Sequence, residues 1–180
     1  MPRKWSAADL VGTAFVLRIE IFNDNRMGGQ SIDCFRVVEV PPTFNLRKLH
    51  DLIQIIFAWR DCHCHTFSTL DGRTYVPWHA VDEFRDGCIE EAEAKLICDE
   101  SRKKLFAALA NVNDEIMYEY DMGDGHEHTI TLVNVVYCSD DFVCPRLVEA
   151  AGFRPAEDGV FREPVRSLDS VNIELARVRW

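Results

Sequence analysis

The chain has 180 residues, 20 Lys plus Arg against 30 Asp plus Glu, a formal net charge of −10 and 47% hydrophobic residues. That length supports one ordinary domain with a sizeable core, and the 11% aromatic content is that of a folded and not a disordered chain. An acidic chain whose longest basic cluster is Arg102-Lys103-Lys104, beside Asp99 and Glu100, is a poor grip for nucleic acid or an anionic membrane, since both depend on clustered cations.

No apolar run approaches the length that spans a bilayer. Residues 1–10 are polar and mixed in charge, without the apolar centre of a signal peptide, so the protein is expected inside the cell, in the cytoplasm. Seven cysteines cannot all pair with one another, and they form neither a Cys-x-x-Cys pair nor a zinc-finger spacing.

Residues 14–22 place Phe15, Leu17, Ile19 and Ile21 on one side at period two, the signature of a half-buried strand. A turn is expected at residues 23–30, containing Gly28-Gly29, and a second strand at 35–40, closed by Pro41-Pro42. Leu46, Leu49, Ile53, Ile56 and Phe57 then recur at helical spacing behind Asn45, a suitable N-cap, with Trp59 as an anchor near the helix end. Residues 62–70 read as a third strand, and Asp71-Gly72 turns into a partner at 73–78. Residues 81–91 read as an irregular acidic loop, 94–98 as a short strand and 101–110 as a helix. Residues 115–121 and 126–136 form the strongest hairpin pattern, turning through Met122-Gly123-Asp124-Gly125. A small helix is expected at 147–151 and a last strand at 171–178.

The opening order of strand, strand, helix, strand predicts an α+β fold: a two-layer unit in which a helix packs on one face of an antiparallel or mixed sheet, for which a β-grasp-like arrangement is one solution. With no repeat and no low-complexity linker, residues 1–180 are read as a single domain.

Several segments together resemble one known family. They are Val40-Pro41, Leu49-His50-Asp51, Ile53-Gln54, Phe57, Trp59 and His63-Cys64-His65-Thr66-Phe67, followed by Tyr118-Glu119-Tyr120-Asp121-Met122-Gly123-Asp124-Gly125 and Glu127-His128, with a weaker echo at Arg154-Pro155-Ala156-Glu157-Asp158-Gly159. The chain resembles the plasmid pRi open-reading-frame-three-like family, also labelled TnpR-like, with a family-like core over about residues 14–136 and a C-terminal extension over 137–180. The resemblance implies an α+β domain often found in mobile-element or accessory genetic contexts, and no established activity. A resolvase-like reading has no support in the residues, because no serine sits within an arginine cluster suited to phosphoryl transfer. The chain departs from the family pattern at Cys64 (an apolar residue is usual), at His126 (Trp is usual), at Phe35 before Arg36 (Trp is common there) and at Val160 after Gly159.

Two readings of the polar residues stand side by side. On a strand, His63 and His65 would share a face, and Asp121, Asp124, His126 and His128 crowd one hairpin end, so a divalent metal could be held there. Alternatively His65 and His128 are hydrogen-bonded in the interior and Asp121 and Asp124 cap the turn. Cys62 and Cys64 would share the opposite strand face, where packing in the core is the simpler role. Tyr118 and Tyr120 share a face suited to cross-strand packing. The leading expectation is a non-enzymatic binding or interaction module, without a resident cofactor, that presents His63, His65, Tyr120, Asp121, Asp124 and His128 to an unknown protein or small ligand. The rival is a metal-dependent hydrolase or nuclease in which His65, Asp121, Asp124 and His128 hold a metal that activates water.

Overall fold

The computed structural model describes residues 5–22, 34–139, 142, 144–158 and 162–180. The turn expected at 23–30 lies outside these. The fold is α+β, built on a mixed eight-stranded sheet. A one-turn helix α1 (Ala7–Leu10) precedes the expected opening order of β1 (Thr13–Phe22), β2 (Phe35–Val40), α2 (Leu46–Phe57) and β3 (His65–Thr69). Then follow β4 (Thr74–Val76), α3 (Val81–Asp86), α4 (Glu91–Ala94), β5 (Ile97–Asp99), α5 (Leu105–Ala108), β6 (Glu115–Tyr120), β7 (His126–Tyr137) and β8 (Arg146–Ala151). A separate two-stranded ribbon, β9 (Arg154–Pro155) with β10 (Arg162–Glu163), and helix α6 (Leu168–Leu175) close the chain.

The strand order is β5-β4-β3-β6-β7-β1-β2-β8. Neighbours run antiparallel except β4 and β5, which run parallel at one edge. Alternation sets the register: Phe15, Leu17 and Ile19 of β1 are fully buried, while Arg18 and Glu20 point the other way and pair at 2.7 Å. Helix α2 starts where Asn45 accepts the Lys48 amide and ends at Ala58 in the left-handed conformation. Its Leu46, Leu49, Leu52, Ile53, Ile56 and Phe57 join Phe15, Leu17, Ile19, Ile130 and Leu132 of β1 and β7 in one core. The β3–β4 hairpin turns at Gly72, with φ +76°, and the Gly72 amide donates to the Thr69 carbonyl.

Three assignments from local pattern are corrected. Residues 81–91, read as a loop, contain α3. Residues 147–151, read as a small helix, form β8, because β2 offers an unpaired edge and Val38 lies opposite Leu147. Residues 171–178, read as a strand, lie mostly in α6: Val171 and Leu175, one helical turn apart, are buried while the alternating Ile173 is 55% exposed. Ser167 caps that helix by accepting the Ser170 amide. Among the described residues, no helix is long and apolar enough to cross a membrane.

Candidate functional site

Beneath one end of α2 the core turns polar. His50 is fully buried. Its Nε2 lies 2.8 Å from Asp61 Oδ1 and its Nδ1 lies 2.9 Å from the Tyr118 hydroxyl. A carboxylate can only accept, so Nε2 carries the proton and Nδ1 accepts from Tyr118. The Tyr118 oxygen in turn accepts from Gln54 Nε2 at 3.3 Å, and Gln54 Oε1 accepts the Asp61 amide at 3.0 Å. The four hydrogen bonds close a ring with one direction of donation. Burial holds the Tyr118 phenol well above its usual range, so it stays a donor. The hydrogen bond from His50 holds Asp61 below the usual carboxylate range, against its partial burial.

His65 of β3 lies flat on His50, ring centroids 3.6 Å apart, and its Nε2 is 2.8 Å from Glu100 Oε2. Glu100 is 1% exposed. Two imidazolium rings at that separation would repel each other. Burial and the neighbouring His65 both lower the pKa of His50, partly offset by its bond to Asp61. Arg47 spans the outer rim, 3.4 Å from Asp61 and 3.1 Å from Asp51.

A second cluster lies where the loop after α2, the end of β6 and the segment after β9 meet. Tyr120 is fully buried; its hydroxyl donates to Glu157 and accepts the Cys62 amide at 3.1 Å. Glu157 also accepts the Arg60 amide and Nε at 2.9 and 2.8 Å. Burial would raise its pKa, but the hydrogen bonds from Tyr120 and Arg60 win and hold it at about 2. His63 Nε2 lies 2.7 Å from Asp158 Oδ1 and 3.5 Å from Asp121 Oδ2. The other Asp121 oxygen, Oδ1, accepts the amides of Gly123 and Asp124, both at 3.1 Å, which fixes the carboxylate.

Asp61, Asp121 and Asp158 share a further property: each has positive φ, at 55°, 56° and 55°. Backbone geometry alone would favour glycine there. Each position instead carries a carboxylate that is engaged with a histidine.

Between these clusters and the α3 segment lies a cleft of about 420 Å³. Arg47, Asp61, His63 and His65 line one side, and His79 and Phe84 the other. Among the described residues, ligand atoms of His63, Asp121 and Asp158 lie within 4.8 Å of one another, as do those of His50, Asp61 and His65, of Cys62, His63 and Glu157, and of Asp121, Asp124 and His126.

The residues singled out from the sequence divide into separate groups. His63 and Asp121 come together, Tyr120 stands behind them, and Asp124 lies in the same turn. His65 belongs to the other cluster, on Glu100 and His50. His128 is fully buried against Phe57, Trp59 and Tyr118, and burial pushes its pKa down to about 3. The set His65, Asp121, Asp124 and His128 is therefore not one of the groups of converging ligand atoms. His63 precedes β3 and lies in a bend, so no strand face relates it to His65. Cys62 and Cys64 are exposed and not packed in the core, because the same bend turns them outward. The capping role expected of Asp121 and the packing of Tyr118 and Tyr120 are as read. Sequence reasoning missed His50, Asp61, Glu100 and Asp158. His50 falls at helical spacing from Leu46, Ile53 and Phe57, which marks a position on the buried face of α2; Glu100 has no local signal of burial.

The chain matches the model of a family described as plasmid pRiA4b ORF-3-like protein over residues 16–161, and it belongs to that family. It is 32% identical over 124 residues to an uncharacterized protein, y4hQ, of Sinorhizobium fredii (strain NBRC 101917 / NGR234). That match covers 68% of this chain and 57% of the relative, so the chain spans little more than half of the relative's length. A crystal structure of a protein of unknown function, MM3350, from Methanosarcina mazei Go1 is similar with a TM-score of 0.62 and 20% identity, over 81% of this chain and 73% of that one. At that identity the likeness concerns the fold alone.

Proposed function

We propose that this member of the plasmid pRiA4b ORF-3-like family is a binding module that holds a divalent cation of the manganese-to-zinc row at His63, Asp121 and Asp158. The observation that carries the reading is convergence: three side chains from three distant segments direct one imidazole nitrogen and two carboxylates to one point. One nitrogen with two anionic oxygens suits such cations. Supporting groups fix both carboxylates in the way metal sites require. Turn amides hold Asp121, and Arg60 Nη2 holds Asp158 at 2.5 Å. The adjoining cleft would admit a small ligand or a peptide end to the bound ion.

A hydrolase reading draws on the same cleft, because a cation beside His63 could activate water for a ligand held by Arg47. It requires an open coordination position as well as the ion, so the cation is tested first.

Protein purified without chelators is analysed for metal, stripped, and titrated with Mn²⁺ and Zn²⁺ while its Tm is followed. The expected result is a saturable rise in Tm that disappears in His63→Ala and in Asp121→Asn. The asparagine keeps the turn acceptor and tolerates positive φ, so its loss of response reports the ligand and not the turn. No bound metal and no shift of Tm with either ion would overturn the reading, and an activity screen would then have no starting point.

A further inference from the structure

A second cavity, of about 550 Å³, lies on the far side of the 77–86 segment. Pro77, Ala80 and Phe84 face the first cleft, whereas Trp78, Val81 and Arg85 face this one, so one short wall serves both. Its lining reverses the character of the chain. Four cations, Arg73, Arg85, Arg102 and Lys103, stand against two carboxylates, Asp82 and Asp99, in a protein of net charge −10. The cations come from positions thirty residues apart in sequence, and only the fold brings them together.

Trp78 stands in the same lining and is 73% exposed, an unusual cost for an indole. Behind it the Tyr75 ring is buried, with Lys103 Nζ 5.5 Å from its centroid. Most of the ion pairs that these cations make are long. Arg85 is 3.9 Å from Asp82, Arg73 is 4.0 Å and Lys103 3.6 Å from Asp71, and Arg102 is 3.2 Å from Asp99. Pairs of this kind are worth little and are readily exchanged for a more highly charged anion.

We propose that this cavity binds a nucleoside phosphate, its base stacked on Trp78 and its phosphates held by Arg73, Arg102 and Lys103. An exposed aromatic face selects a planar ring, and forked guanidinium groups select phosphate oxygens. Asp99, 17% exposed, can accept from an exocyclic amino group of the base. The volume lies within the range of about 300–1,000 Å³ typical of small-ligand sites. The overall negative charge disfavours a polynucleotide, whose many phosphates would meet acidic surface beyond the cavity. The inference is independent of the cation site, since no residue lines both cavities.

The test is calorimetric titration with ATP, AMP, adenosine and inorganic phosphate, without divalent metal, alongside tryptophan fluorescence. The proteins compared are the wild type, Trp78→Ala, the Arg73→Gln/Arg102→Gln double variant and His63→Ala. Trp78, Arg73 and Arg102 are exposed enough to replace without unfolding the chain. Saturable ATP binding with fluorescence quenching is expected, weakened about tenfold or more by either the Trp78 or the double arginine change and unchanged in His63→Ala. AMP should bind more weakly than ATP, and adenosine more weakly than AMP. An absence of saturable heat with any nucleotide would overturn the proposal. So would equal affinity in the double arginine variant, or inorganic phosphate binding as tightly as ATP.

Discussion

The half of the sheet made by β1, β2 and β7 and the half made by β3 and β6 are equally dry inside, yet they are filled with different chemistry. The first buries Phe15, Leu17, Ile19, Val38, Ile130 and Leu132. The second buries His65, Tyr118, Tyr120 and Glu100, with His50 and Gln54 supplied from α2. At the positions named in the first half an apolar side chain of suitable volume is all that is needed, although the same strands also bury Arg36 and His128. In the second each polar group depends on a named partner, because an unpaired donor or carboxylate in the interior costs more than its hydrogen bond returns. The lesson is that burial alone does not mark the inert part of this molecule; the pairing pattern does. Fixed polar rings such as Asp61–Gln54–Tyr118–His50 hold side chains at set positions.

That contrast can be broken most severely in the apolar half. Leu17→Ala should cost about 2–5 kcal/mol in denaturant unfolding, from lost transfer energy and the cavity left behind. The polar half should respond by a different mechanism. Tyr118→Phe keeps the volume but leaves His50 Nδ1 and Gln54 Nε2 unpaired, with an expected loss of about 1–3 kcal/mol by the same measurement. A loss under about 0.5 kcal/mol would show that the ring adds no stability. At the helix start, Asn45→Ala should cost about 1 kcal/mol, as for other N-caps, and should do so independently of either half.

Acid should act on both halves, because each buries a histidine, His128 on β7 and His50 against Tyr118 of β6. His128 has its folded pKa lowered from 6.5 to about 3, so between these values the unfolded chain binds the proton and the folded chain does not. Stability from this group is therefore complete above about pH 6.5 and is lost progressively as the pH falls towards 3. His50, also lowered by burial, acts in the same direction. Unfolding curves measured from pH 7 to pH 4 should show a decline that is flatter in His128→Leu. An equal slope in that variant would remove His128 as a cause.

Where local pattern and final environment agree, the fold was legible in advance. The alternation of β1 needed only a hydrophobic face and a solvated one, and α2 declared itself through its stripe and its Asn45 cap. The β6–β7 hairpin was marked by alternation on both sides of a Gly-Asp-Gly turn. The site was half legible. His63, Tyr120 and Asp121 stood out, and the Arg154–Asp158 echo proved to pack against them through Glu157 and Asp158. The grouping was not legible: His65 looks equivalent to His63 in sequence, but His65 faces the interior beneath α2 while His63 lies in a bend before the strand.

The sequence by itself determined the α+β class, the principal helix, the central hairpin, the family and the residue types available for a site. Each of these is written in short-range periodicity or in motifs that neighbouring residues carry together. Only the tertiary structure decided that 147–151 pairs as a strand, that Glu100 lies buried against His65, and that Asp158 reaches His63. It also decided that Arg73, Arg85, Arg102 and Lys103 surround one exposed indole. The physical reason is the same in every case. Strand edges, buried ion partners and charge clusters are satisfied by groups far away in the chain, and the choice among such partners is made by packing.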